Sequence, residues 1–212
     1  MVEMKQGSAA WLQARVGKVT ASRMADLTAK LKSGKPGAAR ESYMLELIAE
    51  RLTGLAVDHF VSREMQWGTD NEPRARAAYE FVTDHTVDLA GFVPHPRFSM
   101  AGASPDGLIG ADGLVEFKCP TSKTHATTLA TGQVPEEYLP QVFWQMACTG
   151  RAWCDFASFD PRFPEGMDLL VVRVPRDDAA IAAIEADVAA FLEELDQREA
   201  AIRERFALKL AA

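Results

Sequence analysis

At 212 residues, 48% hydrophobic and 25% charged, the chain has the size and composition of a single globular domain spanning 1–212. No apolar run reaches membrane-spanning length, and Met1-Val2-Glu3-Met4-Lys5-Gln6 lacks the apolar core of a secretory signal, so the expected compartment is the cytosol with no membrane partner. Cys119, Cys148 and Cys154 include no CxxC pair and His59, His85, His95 and His125 are scattered, which argues against a disulfide framework, a four-cysteine metal centre and histidine-metal chemistry. The formal net charge of −7 weighs against a nucleic-acid partner, but it is unevenly spread. Residues 1–40 carry eight Lys/Arg against Glu3 and Asp26, while the remainder carries 15 against 28 acidic residues. An acidic body with a basic N-terminal segment fits a polyanion held locally.

In chain order, residues 8–31 read as helical with a break near 16–20, where Thr20 or Ser22 could cap the following helix. Residues 29–37 form a basic, Gly/Pro-broken loop. It is either a solvated linker or a phosphate-tracking loop in which Lys30, Lys32 and Lys35 give salt-sensitive, sequence-blind affinity. Over 42–52, Met44, Leu47, Ile48 and Leu52 mark one buried helical face. A second helix is expected over about 70–84, with Pro73 in its first turn and Ala75, Ala78, Tyr79 and Val82 inward. Glu72 then falls at the helix start, where the helix dipole alone favours a carboxylate. Strands follow at about 86–93, 97–102, 106–110 and 113–118, helices at 121–131 and 136–148, and strands at 153–159 and 168–174. On the helix over 136–148, Gln141 and Gln145 share a face, while Phe143 and Trp144 are open between core and substrate side. Residues 177–208 form a long amphipathic helix, with Ile181, Ile184, Val188, Phe191, Leu192, Leu195 and Ile202 on its apolar side. This order predicts an α/β domain with a mixed central β-sheet flanked by helices.

The chemistry concentrates in 104–118. Apolar residues at 108–109 and 114–115 flank a Gly110-Ala111-Asp112-Gly113 turn, so the segment folds as two antiparallel strands. Folding back brings Asp106 of Ser104-Pro105-Asp106-Gly107 close to Glu116 of Glu116-Phe117-Lys118. Side chains alternate along a strand, so Glu116 and Lys118 share one face while Val115 and Phe117 take the other. Two adjacent carboxylates repel unless one is protonated or a cation lies between them. Their hard oxygens suit Mg²⁺ or Mn²⁺, which also take phosphate oxygens, and Lys118 is placed to steady an attacking hydroxide or the charge growing on phosphorus. The competing interpretation is an ordinary Asp-Gly turn beside a solvated, self-neutralising Glu-x-Lys pair, and Cys119 reads as a small buried filler.

Further segments extend the pattern: Trp11-Leu12-Gln13-Ala14-Arg15-Val16-Gly17-Lys18-Val19-Thr20-Ala21-Ser22, Trp67-Gly68-Thr69-Asp70-Asn71-Glu72, Cys119-Pro120 after the Glu-Phe-Lys, and Tyr138-x-x-Gln141. In this order, from Trp11 to about Asp160, the chain resembles the lambda exonuclease-like (YqaJ-type viral recombinase) branch of the PD-(D/E)XK nuclease superfamily. The resemblance implies a restriction-endonuclease-like core in which Asp106, Glu116 and the Phe117 carbonyl bind metal and Lys118 assists the nucleophilic water. It implies that Glu72 holds a second ion or its waters, and that Arg15, Ser22 and Ser104 form a pocket for a terminal 5′-phosphate. Gln141 would orient the catalytic strand. Arg63 and Met65 stand where the family places a cation and an apolar wedge that parts duplex ends. The implied activity is a Mg²⁺-dependent deoxyribonuclease, with Mn²⁺ able to substitute and two ions expected. It would digest one strand of double-stranded DNA 5′→3′ from a phosphorylated end and leave a 3′ overhang for a single-strand annealing protein. A ring-shaped homotrimer is implied as well. Two other readings stay open: an endonuclease of the same superfamily, and a DNA-end-binding recombination protein without catalysis, against which the presence of Asp106, Glu116 and Lys118 counts.

Overall fold

The computed structural model describes residues 5–30, 33, 34, 36–57 and 62–210. Strand β1 (Val19–Thr20) follows helix α1 (Ala9–Arg15), and a single 3₁₀ turn (Ala21–Arg23) leads into α2 (Met24–Thr28). Two longer helices come next, α3 (Ala38–Thr53) and α4 (Arg63–Thr83). Strands β2 (Val87–Asp88), β3 (Val93–Pro94), β4 (Ala101–Ala103), β5 (Gly107–Ile109) and β6 (Gly113–Lys118) run to the middle of the chain. After α5 (Ser122–Thr131), a 3₁₀ turn (Glu136–Tyr138) leads into α6 (Leu139–Thr149), then β7 (Trp153–Phe159), β8 (Leu169–Pro175) and α7 (Asp178–Leu210).

The expected central sheet is present and mixed, with order β2-β5-β6-β7-β8 and only the β6–β7 pair parallel. The strands expected at 86–93 and 97–102 are shorter, and two of the resulting pieces leave this sheet. β3 and β4 join β1 in a separate three-stranded sheet, where β1 runs parallel to β4 with Val19 opposite Ala101. The break near 16–20 is therefore a strand rather than a helix interruption. Neither Thr20 nor Ser22 caps a helix with its side chain, since Thr20 precedes the 3₁₀ turn without a cap bond and Arg23 occupies the start of α2.

The central sheet separates two cores by the alternation of its strands. On one side, Leu114 and Cys154 pack with α2, α3, α6 and α7 through Leu27, Leu47, Trp144, Val188 and Phe191. On the other, Val115, Phe117, Ala157 and Phe159 pack against Ala75 and Tyr79 of α4. Trp144 is fully buried and its indole N–H donates to the Gly102 carbonyl, so it belongs to the core, with Phe143 packed partly against it.

α4 begins seven residues before the expected start at 70, capped by Ser62, whose side chain accepts from the Met65 N–H. Pro73 therefore lies inside the helix, leaving the Thr69 carbonyl without its usual N–H partner. Tertiary packing of Ala75 and Tyr79 carries the helix through that gap. Leu52 and Val82, expected to be inward, are 39% and 67% exposed, because each lies in the last turn of its helix. α7 matches the long C-terminal helix expected over 177–208.

Candidate active site

The 104–118 hairpin holds the site. Three residues, 110–112, join β5 to β6, and Gly110 takes φ +50°, a left-handed conformation that glycine adopts without penalty. Gly107 pairs with Val115 across the ladder, so Asp106 and Glu116 end up adjacent. A Cβ at Gly107 would lie 2.1 Å from Val87 Cγ1 and 3.0 Å from Val115 Cγ1. The glycine after Asp106 is thus required by sheet packing, not by a turn, since Gly107 lies within β5. Asp106 Oδ2 accepts the Phe117 N–H at 2.8 Å, which fixes its carboxylate against β6.

Glu116 is 2% exposed, and α6 supplies the groups that make its burial tolerable. Gln141 Nε2 donates to its Oε1 at 2.5 Å and Gln145 Nε2 to its Oε2 at 2.6 Å, while Lys118 Nζ lies 2.6 Å from Oε1. Lys118 also donates to Gln141 Oε1 at 3.1 Å and lies 5.0 Å over the Tyr138 ring. The four-residue spacing of the glutamines was legible in the sequence, but a role for Gln145 was not assigned there.

The three carboxylates crowd each other. Burial, then the charges of Glu116 and Glu72, push Asp106 well above the usual carboxylate range. Burial also raises Glu72, with Glu116 adding to the shift and Arg76 opposing it. For Lys118, burial pulls the ammonium down, but Glu116 and Asp106 outweigh it and raise it above its ordinary value. Lys118 therefore stays protonated. Glu72 sits in the third turn of α4, not at its start, so the helix dipole does not explain it. Its side chain makes no hydrogen bond among the described residues. Cys119, expected as a small filler beside the site, is half-buried, packing against the α4-side core and reaching the cleft wall, and burial together with Glu72 and Asp106 pushes its thiol up to about 12.

Glu72, Asp106, Glu116, Lys118, Cys119, Tyr138 and Gln141 line one cleft of about 490 Å³, and Arg15, Ser22 and Ser104 line it too. Arg15 donates to Ser104 Oγ at 3.3 Å and stacks 4.2 Å over Trp11, whose Nε1 donates to the same Ser104 Oγ at 2.9 Å. Burial lowers the Arg15 pKa, and no carboxylate pairs with it among the described residues. Ser22 is 3.5 Å from Thr20 Oγ1. Met65 stands on the cleft rim, 55% exposed, whereas Arg63 is exposed at the start of α4 outside the cleft lining. Lys30 is paired with Asp187 of α7 at 3.3 Å and does not line the cleft; Lys32 and Lys35 lie outside the described residues. Gln6 also lines the cleft, and no sequence pattern marks it. Gln6 donates from Nε2 to the Pro105 carbonyl at 2.8 Å and to the Ala90 carbonyl at 3.1 Å, tying the N-terminal segment across the approach to Asp106.

Among the described residues, no set of three His, Cys, Asp or Glu is gathered at metal-holding spacing. The donor chemistry nonetheless fits a hard divalent cation. Among the described residues nothing donates a hydrogen bond to Asp106 Oδ1 or to either Glu72 oxygen, and the mutual repulsion of the three carboxylates is what a cation relieves.

Comparison with known proteins agrees with this geometry. A search of curated proteins gave no match. Among solved structures, an alkaline exonuclease from Laribacter hongkongensis is 47% identical with a TM-score of 0.88, covering 96% of this chain and all of its own; the same enzyme has been solved in complex with dAMP at the same similarity. A phage-related exonuclease from Haemophilus somnus, 16% identical with a TM-score of 0.66 over 87% of this chain and 96% of its own, shares the fold. The YqaJ-like viral recombinase domain model matches residues 10–152. The chain belongs to the YqaJ-like viral recombinase family, in the lambda exonuclease-like branch of the PD-(D/E)XK nucleases.

Proposed function

We propose that this nuclease is a divalent-metal-dependent deoxyribonuclease that removes nucleotides one after another from the 5′-phosphorylated strand of duplex DNA. It runs 5′→3′ and leaves a 3′ single strand. The observation that carries this reading is the sharing of one cleft by the Asp106–Glu116–Lys118 cluster and the Arg15–Ser104 pair. An enzyme that cuts internal positions has no need of a seat for a terminal phosphate. The dAMP complex of the Laribacter enzyme supports a nucleotide-sized product.

Asp106, Glu116 and the Phe117 carbonyl would hold Mg²⁺ or Mn²⁺, with Glu72 serving a second ion or its waters. A divalent ion on such oxygens supplies polarisation of the phosphodiester and a water activated as nucleophile. The protein's own groups do the rest. Lys118, held beside Glu116 and Asp106, donates from Nζ to the attacking oxygen or to the phosphoryl oxygens. Gln141 and Gln145 clamp both Glu116 oxygens and so fix the direction in which its remaining lone pairs point. Arg15, stacked on Trp11 and paired with no carboxylate among the described residues, holds the terminal phosphate together with Ser104 and Ser22. Met65 on the rim is the wedge that parts the last base pair, with Arg63 and Lys30, Lys32 and Lys35 contributing backbone contacts to the duplex. Resemblance to the family supports a ring-shaped homotrimer working in the cytosol and delivering its 3′ strand to an annealing protein. Among the described residues, no helix is long and apolar enough to cross a membrane.

The test compares a linear duplex with a 5′-phosphate, the same duplex without it, and a closed circle, each with Mg²⁺ and with chelator. Metal-dependent release of mononucleotides, fastest from the phosphorylated end and absent from the circle, is the expected result. Rapid cleavage of the circle would transfer the assignment to an endonuclease. Duplex binding with no release in either metal would transfer it to a non-catalytic end-binding protein.

A further inference from the structure

Beyond the phosphate seat the cleft continues into a second cavity, of about 600 Å³. The two spaces share Trp11, Arg15, Ser22 and Met65, whereas Glu72, Asp106, Glu116 and Lys118 line the cleft alone. The seat therefore stands between the carboxylate cluster and the second cavity. The walls of that cavity differ in chemistry from those of the cleft. Leu12, Val16, Leu47, Ala56 and Val57 give it apolar surface, and Lys18 lines it with its ammonium 5.3 Å over the Phe92 ring. Its carboxylates are already served. Arg23 Nη1 donates to both Glu46 oxygens at 2.8 and 2.9 Å, and Glu50 accepts the Gly17 N–H at 2.7 Å and the Val57 N–H at 3.0 Å. Apolar walls and satisfied acids suit an uncharged, partly apolar group joined to an anion that rests on Arg15.

A phosphorylated end puts its terminal phosphate on the seat and its first internucleotide linkage at the carboxylates. A 5′-hydroxyl end lacks the group that Arg15 takes. It can present the same chemistry by advancing one nucleotide, so that its first internucleotide phosphate occupies the seat. Its terminal nucleoside must then lie beyond Arg15. We propose that the 600 Å³ cavity is a subsite for that unphosphorylated terminal nucleoside, and that 5′-hydroxyl duplexes are opened in this shifted register. Water then attacks the phosphorus of the second internucleotide linkage, and the bond from that phosphorus to the 3′ oxygen of the second nucleotide breaks. The water oxygen stays on phosphorus and a proton ends on the departing 3′ oxygen. The products are a dinucleoside monophosphate and a strand that now begins with a 5′-phosphate, so every later cycle is the ordinary one. A phosphodiester offers Arg15 one negative charge where a terminal phosphate offers about two, which makes this start the slower of the two.

This inference rests on the exonuclease reading and deepens it. The test gives wild type, Ala56→Trp and Leu12→Trp a 5′-hydroxyl duplex and a 5′-phosphorylated duplex of the same sequence with Mg²⁺, and identifies the first product by mass spectrometry. Both substituted positions are exposed, line the cavity and lie outside the cleft, so an indole there fills the subsite with little burden on the fold. The expected first product from the hydroxyl end is the dinucleoside monophosphate, followed by mononucleotides. Each variant should slow the hydroxyl start about tenfold, through loss of the apolar contact that holds the nucleoside, and leave release from the phosphorylated end unchanged. A free nucleoside as first product, no cleavage of the hydroxyl end, indifference to both variants, or equal slowing at both ends would each overturn the subsite. Failure of the nuclease reading would appear separately, as no mononucleotide release from the phosphorylated duplex.

Discussion

Two buried carboxylates lie on neighbouring strands of the central sheet, and their surroundings could hardly differ more. Asp155 of β7 sits opposite Val115, one residue along from Glu116, but faces the α4 side. It is fully served. Arg173 donates to both its oxygens at 2.8 and 2.9 Å, and the Tyr79 hydroxyl donates to Oδ2 at 2.8 Å. Burial first, and Asp155 second, raise the Tyr79 hydroxyl so that it keeps the proton it donates. Glu116 is just as buried, yet its neighbourhood contains Asp106 and Glu72 and, among the described residues, a single ammonium, Lys118, so negative charge is left over beside an open cleft. The lesson is that burial of a carboxylate says little by itself. A closed stoichiometry of charge marks a structural tie, and an open one marks a place for a cation and its substrate.

The largest effect should come from the open site. Lys118→Ala should reduce nucleotide release by about a thousandfold while duplex binding changes little, because on the proposed mechanism Lys118 acts on charge that develops in the transition state. Steady-state degradation beside a gel-shift measurement reads both. Asp155→Ala is the opposite case. It should cost about 2 kcal/mol in urea unfolding, less than a fully buried pair because Arg173 is 51% exposed, with cleavage per folded molecule close to normal. If Asp155→Ala abolished cleavage at unchanged stability, the contrast between the two carboxylates would fall.

The smallest effect is the most specific. Asp106 is raised in the folded protein, so the metal-free fold loses stability as pH climbs from the unfolded carboxylate value through the folded one. Asp106→Asn removes that loss and should stabilise the metal-free protein at pH 8 by on the order of 1 kcal/mol, with no gain at pH 3. The same sign governs the cation, which binds the deprotonated form, so Mg²⁺ affinity of the wild type should rise with pH over this window. Thermal unfolding at the two pH values and metal titration by calorimetry test both statements. A destabilised Asp106→Asn at pH 8 would show that the cluster is not under charge strain.

What the sequence disclosed tracks the distance over which each feature is specified. The hairpin was legible because turn, strands and charges all fall within 104–118 and alternate with period two. The shared face of Gln141 and Gln145 was legible for the same reason, but their target, Glu116, was not, being 25 and 29 residues away. The β1–β4 pairing joins strands of two and three residues across most of the N-terminal half, and no local period announces it. Pro73 was read as a helix start because proline favours a first turn; packing of Tyr79 and Ala75 overrode that local preference and moved Glu72 to mid-helix. Gln6 was missed because a single amide near a terminus carries no pattern at all.

β6 is stitched in parallel to β7, whose first residue, Trp153, follows β6 only after two intervening helices. Such non-local pairings assemble late, after the entropic cost of closing a long loop has been met. A nascent polypeptide emerging from the ribosome therefore carries Asp106, Glu116 and Lys118 on a local hairpin before β7 exists to seat β6 in the sheet and before Gln141 and Gln145 can clamp Glu116. The cluster is completed late in synthesis, after its charges are already present.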